Sequence, residues 1–126
     1  MSKLFLLVVT MSWSIIASAQ GIDFFHGSYE EALKKARSEN KGIFVDVYTS
    51  WCGPCKKIAP DVEALAEQYK DQVVVGKCDV DDNDELTGRF GVRNIPTVLF
   101  IKDGKVQDKT VGAVTKAELE EKLKAL

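Results

Sequence analysis

Ile43 to Tyr48, "IFVDVY", is a short and nearly continuous apolar run. Such a run is what a strand buried on both faces looks like, and strands of that kind lie in sheets covered by helices on either side. Three residues on, the chain reads Trp51-Cys52-Gly53-Pro54-Cys55. Helical spacing follows, with Ile58, Val62, Leu65 and Tyr69 as the inward positions. A buried strand running straight into a proline-opened helix restricts the chain to an α/β arrangement. It also puts both cysteines at the C-terminal end of a strand, where such sheets place their sites. Two residues strain against this reading. Asp46 is a charge in the middle of the apolar run, and Pro60 removes a backbone donor inside the helix and is expected to kink it.

The remaining segments extend the same pattern. Ile22 to Phe25 is a short apolar start, expected as a first strand. "SYEEALKKARSEN" reads as a helix opened by a Ser28–Glu31 capping box, with Tyr29, Leu33 and Ala36 on one face. Val73 to Val80 is a second buried strand, and "DNDELTGRFGV" a short helix ending at a glycine. Thr97 to Ile101, the Asp103-Gly104 turn and Val106 to Val111 form an antiparallel hairpin. Thr115 and Glu118 cap a last helix carrying Leu119, Leu123 and Leu126. The expected order is β-α-β-α-β-α-β-β-α, a mixed central sheet flanked by helices.

The first residues read differently from the rest. Met1-Ser2-Lys3 is a short basic start, Leu4 to Ala17 an apolar run of 14 residues, and Ala17-Ser18-Ala19 a small-x-small cleavage pattern. Residues 1–19 are therefore expected to be a cleaved secretory signal peptide, with Gln20 as the new N-terminus. As a helix the run would span about 21 Å, short of a ~30 Å hydrocarbon core, so an uncleaved permanent anchor is the weaker reading, and no stable anchor is expected after cleavage. The remaining 107 residues, 20–126, are the size of one domain with a single core. The formal charge of the whole chain is −2, and its basic residues are scattered among acids. No nucleic-acid face stands out. Export to the periplasm, or elsewhere outside the cytoplasm, means an oxidising compartment, where three cysteines leave at least one thiol without an internal partner.

Cys52 falls just before the helix that Gly53-Pro54 opens. Unpaired N–H groups and the helix dipole there stabilise a thiolate, the reactive form of cysteine. Cys55 lies one turn inside, close enough to bond to Cys52 and less exposed, so Cys52 attacks and Cys55 resolves. A purely structural disulfide is the plainer reading, but a loop of two intervening residues closes almost no chain entropy. A metal site needs four ligands, and only Cys78 and the sole histidine, His26, remain to complete one. Redox chemistry is the reading these arguments favour, with no metal and no cofactor.

"VDVYTSWCGPCKKIAP", "GKCDVDDNDELTGRFGVRNIPTVLFIKDGK" and "TVGAVTKAELEEKL" together resemble thioredoxin over nearly all of residues 20–126. The segment before them is closer to exported thioredoxin-like proteins and to the soluble C-terminal domain of transmembrane thiol reductases. The resemblance implies the thioredoxin fold and a redox disulfide, Cys52–Cys55. It implies that Asp46 lies behind the pair and helps Cys55 lose its proton, with Lys77 as the lysine partner of that carboxylate. Pro96 matches the family's cis-proline loop, with Ile95 and Thr97 beside it. Trp51, Gly53, Pro54 and Gly112 match its substrate-facing surface. Tyr48 stands where thioredoxins often carry a second tryptophan, and Thr49 and Ser50 replace the usual small and acidic residues. Cys78 lies outside the motif, and alternation puts it on the face opposite Lys77, as a buried core thiol.

These readings converge on an exported, monomeric protein-disulfide reductase that acts on client proteins and takes its electrons from a transmembrane thiol reductase. Two alternatives stand beside it. One is a non-catalytic thioredoxin scaffold that holds a partner peptide in its groove. The other is an oxidase or isomerase of the same fold.

Overall fold

A computed structural model of the protein describes residues 24–126. The signal peptide expected at residues 1–19 lies outside the described residues. In chain order come α1 (Tyr29–Ser38), β1 (Gly42–Tyr48), α2 (Gly53–Gln68), β2 (Val73–Asp79) and a single 3₁₀ turn (Val80–Asp82). They are followed by α3 (Asp84–Arg89), β3 (Thr97–Lys102), β4 (Lys105–Val111) and α4 (Lys116–Lys124). Among the described residues no helix is long and apolar enough to cross a membrane.

The sheet runs β2-β1-β3-β4. β1 pairs parallel with β2 and antiparallel with β3, and β4 returns antiparallel along β3, so the sheet is mixed. Alternation along β1 explains its continuous apolar run. Phe44 points to one face, with Val75, Val98 and Phe100, where α2 contributes Ile58, Val62, Leu65 and Tyr69 and α4 contributes Leu119 and Leu123. Ile43, Val45 and Val47 point to the other, under Ala32 and Ala36 of α1, with Leu86 and Phe90 packed alongside. The strand has no wet side, as its sequence indicates.

Local chemistry sets the ends of the elements. The Ser28 hydroxyl accepts from the Glu31 amide while the Glu31 carboxylate accepts from the Ser28 amide, so the capping box is complete. Thr115 caps α4 by accepting from the Glu118 amide. Asp103 and Gly104 both take positive φ, 52° and 76°, which the tight β3–β4 turn requires. Pro60 lies inside α2 without ending it.

One expected element differs. Of the strand expected over Ile22 to Phe25, Ile22 and Asp23 lie outside the described residues, and Phe24 and Phe25 are not a strand. The Phe25 amide donates a single bond, 2.8 Å, to the Val75 carbonyl at the edge of β2. Both rings pack on the core from opposite faces of the sheet, which holds the segment without a ladder. β2 also ends one residue early, because Val80 opens the 3₁₀ turn.

Candidate active site

Register brings the expected site residues to one end of the sheet. Val47 of β1 lies opposite Thr97 of β3, and Thr97 lies opposite Val111 of β4. The chain therefore leaves β1 toward Cys52, enters β3 from Pro96 and leaves β4 toward Gly112 at the same end. Tyr48 lies beside Asp79, so β2 delivers its C-terminal loop there too.

Cys52 is the N-cap of α2. Its backbone is extended, its carbonyl accepts from the Lys56 amide, and its Sγ accepts from the Cys55 amide at 3.2 Å. A sulfur in that position faces the positive end of a 16-residue helix whose first turn holds no acidic side chain. Pro54 fits the first turn because the amide it lacks has no intrahelical partner there. Cys52 and Cys55 are joined as a disulfide, with Cα atoms 5.2 Å apart. Both residues are nearly covered, 6% and 4% exposed, so burial alone hardly separates them in this oxidised form. A Cβ at Gly53 would meet no other atom within 4 Å, so the surface between the cysteines is open backbone.

Around the disulfide the expected contact residues divide into open and fixed. Trp51 is 70% exposed, and its indole N–H donates to Asp81 Oδ2 at 3.1 Å. Asp81 is itself set by the Asp79 carboxylate, which accepts from the Asp81 amide. The Ile95–Pro96 peptide is cis. Thr97 Oγ1 donates to the Asn94 carbonyl at 2.6 Å, closing the loop before Pro96. The Gly112 amide donates to the Pro96 carbonyl at 2.8 Å, and Gly112 takes φ 88°, which favours glycine.

Asp46 lies on the α2 face of β1, two residues before the end of the strand, and is 1% exposed. Its Oδ1 has no hydrogen-bond partner among the described residues. Burial pushes its carboxyl pKa up to about 6, against a smaller opposing pull from Lys77. Lys77 is the register neighbour of Asp46 on β2, which puts it on the same face. The two are not in contact as an ion pair: among the described residues Lys77 makes none. Its ammonium lies over the Tyr48 ring instead.

Cys78 faces away from the site, buried with Ala32, Val45, Val74 and Leu99. Burial, with Asp79 and Asp46 adding to it, pushes its thiol up to about 11. His26 is exposed in the loop before α1, and among the described residues no three potential ligands gather to hold a metal ion. Two features had no clear sequence signal. The Trp51–Asp81 bond joins residues 30 apart, and the buried Thr49 hydroxyl, without a partner, occupies a position that reads as loop.

The family profile described as Thioredoxin matches residues 22–125. A thioredoxin of Chlorobaculum thiosulfatiphilum is 40% identical over 102 residues, covering 77% of this chain and 94% of that protein. One from Mycoplasmoides gallisepticum is 43% identical over 99 residues, covering 79% and 98%. Among solved structures, a poplar thioredoxin h superposes with a TM-score of 0.70 at 34% identity, covering 77% of this chain and 86% of that one. Likeness of that extent joins a cysteine pair already closed as a disulfide at the head of α2, and the chain therefore belongs to the thioredoxin family of thiol–disulfide oxidoreductases.

Proposed function

We propose that this thioredoxin works outside the cytoplasm as a monomeric reductant of client protein disulfides. The observation that carries the reading is the Cys52–Cys55 disulfide at the N-terminus of α2, with only Gly53-Pro54 between the sulfurs. In the reduced protein the helix end favours the Cys52 thiolate. That thiolate attacks one sulfur of a client disulfide; the Cys52–client bond forms, the client bond breaks, and the leaving client thiolate takes up a proton. Asp46 accepts the Cys55 proton, a role suited to a buried carboxyl with a pKa near neutrality. Cys55 then attacks Cys52 Sγ and expels the second client thiolate. The client gains two electrons and the pair returns to the disulfide.

The exposed Trp51 and open Gly53, with Pro54, the Ile95–Pro96–Thr97 loop and Gly112, form the surface on which an extended client segment would lie. Export rests on the basic start, apolar run and Ala17-Ser18-Ala19 pattern of residues 1–19. An exported reductant has no access to cytoplasmic NADPH, so its electrons come from a transmembrane thiol reductase. Turbidimetric reduction of insulin with dithiothreitol as electron source tests the activity. Catalysed precipitation that requires Cys52 is expected, and binding without catalysis would leave only a peptide-holding scaffold. Alkylation trapping of the Cys52–Cys55 pair in cells tests the rest. The pair is expected mostly reduced, on a chain beginning at Gln20, and oxidised once the membrane reductase is deleted.

A further inference from the structure

Lys77 acts on the Asp46 carboxyl by its charge but makes no ion pair with it among the described residues. It leaves β2 at the register position of Asp46, yet its ammonium sits 4.5 Å from the centroid of the Tyr48 ring and 5.4 Å from that of Phe24. The faces of aromatic rings attract cations, more strongly where water is excluded. Meanwhile Asp46 Oδ1 is buried and accepts no hydrogen bond. A buried carboxylate oxygen with an ammonium in its own register is a strong attractor, because the pair would satisfy both groups. The ammonium is nevertheless over the rings.

We propose that Tyr48, with Phe24 beside it, is a positioning residue: its ring holds the Lys77 ammonium off the Asp46 carboxylate and so sets the pH range in which Asp46 takes the Cys55 proton. The inference rests on the reading of Asp46 as the acceptor of that proton. The ammonium lies over the rings and makes no ion pair with the carboxylate, so ring and carboxylate are alternative seats for it. The titratable groups around the pair are few. β2 supplies Lys77, whose charge lowers the Asp46 pKa against the larger effect of burial. α2 supplies Cys55, which titrates only when reduced. Asp79 and Asp82, from the end of β2 and the turn after it, act on Tyr48, as does Asp46, and Cys78, on the far face of the sheet, is acted on by Asp46 as well. Removing the ring frees Lys77 for Asp46, which favours the ionised carboxylate.

The test is a ¹³C NMR titration of the Asp46 carboxyl in the oxidised protein, where Cys55 cannot titrate. Tyr48→Leu should lower the Asp46 pKa by about half a unit or more, a roughly threefold loss of proton affinity. Tyr48→Phe keeps the ring and should leave the titration where it is. In a Lys77→Met background, Tyr48→Leu should lose its effect. An unmoved or raised Asp46 pKa in Tyr48→Leu would overturn the proposal. So would an equal drop in the Lys77→Met background, since the ring would then act only by shielding Asp46 from water. The pH–rate profile of client reduction separates the two layers of the argument. A shifted titration with an unshifted profile overturns Asp46 as the proton acceptor, whereas an unshifted titration overturns the hold of the ring on Lys77.

Discussion

Asp46 has a measurable cost to the fold. Burial penalises the charge and pushes the carboxyl pKa up from an ordinary 3.8 to about 6. The folded chain therefore binds this proton more tightly than the unfolded one. Its favourable contribution is complete below about pH 3.8 and is lost as pH rises through about 6. Asp46→Asn carries no such titration, so its stability gain over the native protein should grow between those values. A shift of this size corresponds to as much as about 3 kcal/mol. Urea unfolding at pH 3.5 and pH 7.5 checks it, and equal gains at both would mean that Asp46 ionises freely. The cysteines can be separated just as directly. Cys52→Ser should abolish client reduction, whereas Cys55→Ser should attack and then stall, leaving clients bound through a mixed disulfide visible on non-reducing gels. Asp46 was legible in the sequence because a charge inside a run with no wet face has to be explained. The Lys77–Tyr48 contact was not, because strand alternation gives the face of a side chain and not the direction a long, flexible one takes.

At the scale of elements, the strands and helices follow from pattern where burial is two-sided or caps are explicit. β1 and α2 came from their apolar spacing, α1 from its Ser28–Glu31 box, and the β3–β4 turn from Asp103-Gly104. The expected strand at Ile22–Phe25 shows where pattern is weakest. A few apolar residues are compatible with a strand or with side chains simply docking on a core, and Phe24 and Phe25 do the latter. β2 presents different residues on its two faces: Lys77 on the Asp46 side and Cys78 into the opposite layer. Cys78→Ala should therefore leave the rate of client reduction unchanged and lower stability by about 1 kcal/mol through lost packing. Its thiol, buried and pushed up to about 11, should also resist maleimide labelling in the native reduced protein. Rapid labelling would show that β2 opens on that face.

For the molecule as a whole, the order of elements and the register of three strand pairs bring the Cys52 loop, Pro96, Gly112 and Asp81 to one end of a four-stranded sheet. That gathering was only partly legible in the sequence. The motifs named Cys52, Cys55, Pro96 and Gly112, but Asp81 joins Trp51 through tertiary placement alone. The central claim is that this site donates electrons. The most direct test equilibrates the purified protein with defined dithiothreitol or glutathione redox buffers and measures the reduced fraction of the Cys52–Cys55 pair. A potential close to the roughly −270 mV known for thioredoxins is the predicted result. A value above about −180 mV, that of a disulfide isomerase, would contradict the account and make the protein an oxidant or isomerase.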